Sequence, residues 1–305
     1  MATPGVGPAR ALATAADSRQ LVEANERFEV ASARERYAQA IPDWDADGIQ
    51  LVGFFDDAFP DGLKTIKSPP AVLWVKGALP SNSASHVAVV GTRKPSAEGV
   101  DATRAAVSSL GGGDWVVVSG LAIGIDAAAH TSALEVHLRT IAVLGSGVDE
   151  PTPRGNIELA ERILASGGCL ISEQPPGTDV SAASLVQRNR LQSGLSAAVV
   201  VGEMECAGGT AHTVRFAAEQ RRQLVCLTDH HGIGFGTGNR ALLTLEPQKL
   251  CATLPAWRDH ESLARRLGNS PLALGLSQGQ PLSQLLAASP HSRPVESQGQ
   301  LDLGV

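Results

Sequence analysis

Aromatic side chains are scarce in this chain: one Tyr, four Trp and six Phe make up 4% of 305 residues. A core must therefore be built from Val, Leu, Ile and Ala, which suits a parallel sheet buried on both faces. Cysteine is sparse too. Cys169, Cys206, Cys226 and Cys251 show no CxxC spacing and fall on or beside expected strands, so they read as small buried hydrophobes rather than metal ligands. Unpaired use of this kind fits a reducing compartment. No apolar run approaches the roughly 18 residues a membrane helix needs, and Met1 to Asp17 lacks the compact apolar stretch of a secretory signal. The expectation is a soluble, cytoplasmic protein with no membrane partner. Nor is there an excess of positive charge: 25 Lys and Arg against 31 Asp and Glu leave a net −6. That argues against a general cationic coat for nucleic acid and leaves room for a local basic groove. The phosphate-loop pattern GxxxxGK[ST] and a GxSxG elbow around Ser119 are also absent.

What the chain does have is alternation of strand and helix from His86 to about Arg240. Strands are expected near 87–90, 115–118, 140–144, 168–172, 197–201 and 223–227, separated by helical patterns of roughly 10–20 residues. Such spacing gives right-handed βαβ crossovers and an α/β fold, a doubly wound, mostly parallel sheet. Residues 1–44 read as an N-terminal leader and helix: Met1 to about Ala16 is loose, then Asp17 or Ser18 caps a helix over Arg19 to Ala40. Ile49 to Phe55 and Ala71 to Val75 read as strands leading into the main domain, 45–256, with Ser81 to Ser85 a linker by composition. Beyond Trp257 the alternation decays, and Ser270 to Val305 is rich in Ser, Gln, Pro and Gly with little charge, so 257–305 is expected to be a polar, mostly disordered tail with leucine enough for a transient helix in Leu272 to Leu286.

Ligands of doubly wound sheets bind beyond the carboxyl ends of the strands, and the glycine-rich turns of this chain all fall there. Gly91-Thr92-Arg93-Lys94 ends the run VAVVG; Gly91 lets backbone approach a ligand and Arg93 can grip a phosphate bidentately. A plain strand-to-helix turn with solvated cations is the alternative. Ser119, Gly120 and Gly124 bracket the turn after VVVSG, and Ala127 to Ala129 open an amphipathic helix. Asp126 and His130 share one of its faces at i, i+4, as an acid–base pair or as a structural tie between the helix end and the next loop. Arg188, Asn189 and Arg190 place two arginines at i, i+2, off a common helical face, which fits a terminus or loop aimed at an anion. Gly208, Gly209 and Thr210 follow the strand at 197–201 and open a helix, a phosphate cradle or an ordinary cap. Gly236 to Arg240 is a further loop that reads equally as a plain turn.

In this order the motifs resemble the DNA-processing protein A family (DprA, also called Smf) of the DprA–LOG superfamily. The matching segments are VAVVGTRKPS at Val87, VVSGLAIGIDAAAH at Val117, IAVLGSGVDEPTPRGN at Ile141, LISEQPPGT at Leu170, QRNRLQSGLS at Gln187, the GGT helix start, and AAEQRRQLVCL at Ala217. SPPAVLWVKGAL at Ser68 leads into them, and the likeness spans about 45–250. It implies an extended Rossmann-like sheet with an N-terminal lead-in, and a protein that binds single-stranded DNA without sequence preference, protects incoming strands and helps load RecA in DNA uptake and recombination. It implies a homodimer; with no nucleophile system in the sequence and no third ligand spaced to join Asp126 and His130, no catalytic residue, metal or cofactor is expected. The DNA contacts it implies are Gly91, Thr92, Arg93, Ser119, Gly120, Arg188 to Arg190, Gly208 and Gly209.

The chain departs from the family in three places. Ile123 stands where the family has a basic residue. AGGTAHTVRFA replaces a GSLIT-type segment and is similar to the glycine loop of LOG hydrolases, which release base from nucleoside monophosphates. A winged-helix C-terminal domain is not recognisable. Two alternatives follow, a nucleotide-sensing module and a LOG-like phosphoribohydrolase; the second lacks a carboxylate after the glycine loop until Glu219.

Overall fold

The computed structural model describes Arg27 and residues 29–287. The loose leader, the cap at Asp17 or Ser18 and the end of the expected tail, 288–305, lie outside the described residues. The first helix is present over 29–36 and gives way to a turn over 37–40. There follow α1 (Ile41–Ala46), β1 (Ile49–Gly53), α2 (Asp61–Lys64), β2 (Val72–Gly77) and β3 (Ser85–Val90). From there strand and helix alternate: α3 (Ala97–Ser108), β4 (Trp115–Ser119), α4 (Ile125–Glu135), β5 (Arg139–Val143), α5 (Ile157–Ala165), β6 (Cys169–Ser172), α6 (Ala182–Leu195) and β7 (Ala198–Val201). The last elements are α7 (Thr210–Glu219), β8 (Gln223–Thr228), α8 (Gly236–Thr244), α9 (Pro247–Thr253), α10 (Glu261–Leu267), β9 (Ala273–Ser277) and α11 (Leu282–Ala287).

The nine strands form one sheet in the order β1-β2-β6-β5-β4-β3-β7-β8-β9. From β6 to β9 neighbours are parallel, while β1–β2 and β2–β6 are antiparallel. This is the extended Rossmann-like sheet with its N-terminal lead-in at one edge. Its strands read as β-branched runs because both faces are covered. On β3, Val87 and Val89 pack with Ala102 and Ala106 of α3 and Ile125 and Ala129 of α4. Ala88 and Val90 face the other way, toward Leu191 of α6 and Ala211 and Val214 of α7. Strand order reverses between β3 and β7, so the crevice where such folds bind ligands opens beyond Val90 and Val201. Helix α4 is not amphipathic as expected: Ile125, Asp126, Ala128, Ala129, His130, Ser132 and Ala133 are all buried.

The segment after Trp257 also differs from expectation as far as residue 287. Instead of an unstructured tail, α10 leads to β9, which pairs with β8 from Ala273↔Leu224 to Ser277↔Thr228. Three leucines explain the order. Leu276, Leu282 and Leu286 are buried against β8 and α3, and the Leu282 N–H donates to Ser109 Oγ at 2.8 Å. Few apolar residues suffice because an existing sheet edge supplies the rest of the surface.

Leu282→Ala should lower the unfolding free energy by about 2–4 kcal/mol, whereas Leu274→Ala, at a side chain 53% exposed, should change it by less than about 0.5 kcal/mol. Urea titrations of both variants check this; equal effects would mean that β9 and α11 do not dock.

Candidate functional site

The turn after β3 is held from β7. Thr92 N–H donates to the Glu203 carbonyl at 2.7 Å, and Ser96 N–H and Oγ–H both donate to Glu203 Oε2, at 2.9 and 2.7 Å. Ser96 in turn caps α3 by accepting from Gly99 N–H at 3.0 Å. Lys94 N–H closes a short turn on Thr92 Oγ1. With the backbone so fixed, the Arg93 and Lys94 side chains stand exposed, and among the described residues neither has a side-chain hydrogen bond or ion-pair partner.

The neighbouring turn, after β4, packs against this one. Ile125 N–H donates to the Thr92 carbonyl at 3.2 Å. Gly124 has φ 86°, and a Cβ there would lie 2.4 Å from Thr92 O, so only glycine serves. Leu121 also adopts the left-handed region, at φ 58°, and its carbonyl accepts from Asn156 Nδ2 at 2.8 Å. Strain of this kind persists where the surroundings over-determine it. Ser119 is fully buried and its hydroxyl donates to the Val89 carbonyl at 2.6 Å. It ties β4 to β3 and does not face solvent.

Beneath that turn lie two buried ionisable groups, Arg188 and Asp126, each held by neutral protein groups and feeling the other's charge without direct contact. Arg188 projects from α6, 7% exposed; its Nη1 donates to the Val143 carbonyl and its Nε to Asn189 Oδ1. The guanidinium fills the place of the missing side chain at Gly120, where a Cβ would lie 2.1 Å from Nη1. Asp126 accepts from Gly120 N–H at 3.1 Å. Burial pushes its carboxyl above the usual range, against the pull of Arg188 and of the Ala122 and Gly120 N–H groups. Burial likewise lowers Arg188, and Asp126 opposes that shift. His130 does not pair with Asp126. Its Nδ1 meets Thr140 Oγ1 at 2.7 Å, and Thr140 spends its proton on the Val117 carbonyl. Nδ1 therefore carries the ring hydrogen, and Nε2 is a buried acceptor with no partner. Burial, with Arg188 nearby, holds this histidine down to about 3. Among the described residues no group of three or more His, Cys, Asp or Glu could hold a metal.

Arg188, Asn189 and Arg190 lie in the interior of a 14-residue helix, not in a terminus or loop. The i, i+2 offset turns the two arginines apart. Arg190 leaves the site: its two terminal nitrogens grip the Glu173 carboxylate at 2.5 Å each, and Nε donates to the Ser68 carbonyl. Asn189 reaches Gly209, its Nδ2 lying 3.5 Å from the carbonyl. Gly209 caps α7, as the Gly-Gly-Thr pattern predicts, and a Cβ there would meet nothing within 4 Å. The loop from Gly202 to Cys206 is anchored from α8: Asn239 Oδ1 accepts from Met204 N–H, its Nδ2 donates to the Val201, Gly202 and Leu227 carbonyls, and Thr237 binds Glu205. The Gly236 to Arg240 stretch is thus the first turn of a helix and a scaffold for the loop beside it.

The predicted segments do converge. Gly91 to Lys94, Ser119 to Gly124, Arg188 and Asn189, and Gly208 to Thr210 form one chain of contacts at the carboxyl ends of β4, β3 and β7. They divide by depth. Arg93, Lys94 and Gly209 are exposed, while Ser119, Gly120, Arg188 and Asn189 are buried beneath them; Arg190 is turned away. Sequence reasoning gave Glu203 and Ser96 no role and took Asn239 only as part of the Gly236 to Arg240 turn. Ser96 carries a readable signal, a serine just ahead of an acidic first turn; the other two are defined only by distant partners.

A doubly wound sheet with its glycine turns gathered at the switch point, flanked by an antiparallel lead-in, defines a protein of the extended Rossmann-like class. Within that class the chain belongs to the DNA recombination-mediator protein A family, whose model matches residues 50–252. It is 37% identical to a protein Smf of Synechocystis over 211 residues, 66% of this chain and 53% of that protein. Among solved structures it resembles DNA processing protein A of Streptococcus pneumoniae, with TM-score 0.60, 27% identity, and coverage of 83% of this chain and 80% of that one. It also resembles DNA processing protein A of Helicobacter pylori, a structure that addresses a single-stranded DNA binding mode, with TM-score 0.55, 25% identity, and coverage of 63% and 87%. The matches span between 38% and 60% of the length of the curated relatives. Among the described residues no helix is long and apolar enough to cross a membrane.

Two outcomes test the buried support. Gly120→Ala should cost about 1–3 kcal/mol or more, because the new Cβ overlaps three atoms of a wedged guanidinium; a neutral result in urea would contradict the packing. Lowering the pH from 7 toward 4 should lower stability. An unfolded histidine takes its proton near 6.5 while His130 does so only near 3, so the unfolded state binds more protons in between. The slope from this residue is up to about 1.4 kcal/mol per pH unit. His130→Gln should flatten the profile; an unchanged slope would place the acid sensitivity elsewhere.

Proposed function

We propose that this protein binds single-stranded DNA through the sugar-phosphate backbone, without sequence preference and without enzymatic activity, as part of DNA processing linked to recombination and uptake. One observation carries the proposal. Arg93 and Lys94 are presented on a rigid turn at the switch point, with no side-chain partner among the described residues, while Arg188 and Arg190 are committed to protein groups. A cation pair held in place but unpaired suits a polyanion. The turn at Gly124 and the N-terminus of α7 at Gly208 to Thr210 flank it and extend the track with backbone N–H groups.

Residues 91–96, 120–124 and 202–210 contain no aromatic side chain, so base stacking contributes little and binding is directed to phosphate. The family and the subject of the Helicobacter pylori structure support the same reading. Homodimerisation and delivery of the strand to RecA belong to this proposal as its expected partners. The buried Arg188 acts from below: it fixes the 120–124 turn and adds positive field under Arg93.

The test is a fluorescence anisotropy titration with an unstructured oligonucleotide at two or more salt concentrations, with duplex and mononucleotide controls. Arg93→Ala and Lys94→Ala should each weaken binding and reduce the slope of log K against log salt by about 0.7, one single-strand phosphate contact. Arg190→Ala should leave that slope unchanged. Wild-type binding with unaltered slopes in the first two variants would contradict the assignment, and release of free adenine from AMP would contradict the absence of enzymatic activity.

A further inference from the structure

In doubly wound folds the phosphate of a bound nucleotide rests at the N-terminus of the helix after the central strand. Here that strand is β3 and that helix is α3, and the seat is already taken. Glu203 crosses from the end of β7, only 9% exposed, and places Oε2 within 2.9 Å of Ser96 N and 2.7 Å of Ser96 Oγ. Gly99, in the first turn of α3, makes room for it: a Cβ there would stand 2.1 Å from Oε2. The Gly99 N–H is itself spent on Ser96 Oγ. Three donors at that seat, Ser96 N–H, Ser96 Oγ–H and Gly99 N–H, are thus spent within the protein, and a carboxylate stands beside them.

We propose that Glu203 is a specificity-determining residue: its carboxylate fills the anion seat of α3, bars the diphosphate of a free nucleotide, and confines anionic ligands to the outer rim at Arg93 and Lys94. The inference deepens the single-stranded DNA reading and rests on it for the identity of the outer ligand. A carboxylate and a phosphate oxygen cannot share the position beside Ser96, and like charges disfavour any shared arrangement. Glu203 also holds Thr92 through its carbonyl, so the group that closes the inner seat belongs to the residue that positions the outer cations. A polynucleotide running past the rim needs no inner seat; a free nucleotide does.

The experiment compares the full chain with Glu203→Ala and Glu203→Gln, using inorganic pyrophosphate and ADP in calorimetry and thermal melts, and an oligonucleotide in anisotropy. Wild type should show no binding of pyrophosphate or ADP at millimolar concentration. Glu203→Ala should bind pyrophosphate and gain a melting temperature that rises with its concentration. Glu203→Gln keeps an acceptor for Ser96 and fills the seat, so it should stay indifferent to pyrophosphate while binding the oligonucleotide about two- to fivefold tighter for loss of one nearby like charge. Pyrophosphate binding by wild type at the affinity of the Ala variant, or by neither, overturns the proposal. If the Ala variant does not fold, an oligonucleotide Kd in Glu203→Gln equal to wild type overturns it. The pyrophosphate arm contains no DNA, so failure of wild type to bind the oligonucleotide would refute the proposed function and leave the closed seat separately readable.

Discussion

The guanidinium of Arg188 lies where a side chain at residue 120 would lie, and the arrangement of the rim depends on that replacement. From α6 it reaches across the end of β5 to the Val143 carbonyl and stands beside Asp126 at the start of α4. A buried charge has to be hydrogen-bonded, and the bond to Val143 with the packing on Gly120 ties α6 to the ends of β5 and β4. The turn at Gly124 rests on that base and carries Thr92 through the Ile125 N–H. The turn that presents Arg93 and Lys94 is thus held by Glu203 on one side and rests on the Gly124 turn above Arg188 on the other.

A division of labour among cations follows. Arg188 and Arg190, neighbours on one helix, are both satisfied by the protein: one by carbonyl and amide groups, the other by the Glu173 carboxylate. Arg215 pairs with Glu219. Against a net charge of −6, an Arg93–Lys94 step without a side-chain partner among the described residues makes a small local field of opposite sign. Affinity of that origin is strongly screened by salt.

Legibility in the sequence followed the range of the interactions involved. The strands from Val87, Val116, Ile141 and Ala198 were readable because a sheet buried on both faces demands apolar β-branched runs and ends them with glycine. The Gly-Gly-Thr start of α7 and the convergence of the four turns followed from the same topology. The fate of the arginines did not, since the partners of Arg190 at Glu173 and Ser68 come from other parts of the chain. Glu203 looked like an ordinary loop residue because its partner Ser96 is 107 positions away. The ninth strand was hidden for a different reason: three buried leucines docking on a ready-made edge leave little trace in a background of Ser, Gln and Gly.

The most direct test of the central claim is a structure of the protein with a short oligothymidylate. The account places consecutive phosphates within ion-pair distance of Arg93 and Lys94 and along the turns at Gly124 and Gly209, with Arg188 still buried against Gly120 and Glu203 still on Ser96. Phosphates bound at a distant surface, or one seated at Ser96 with Glu203 expelled, would contradict it.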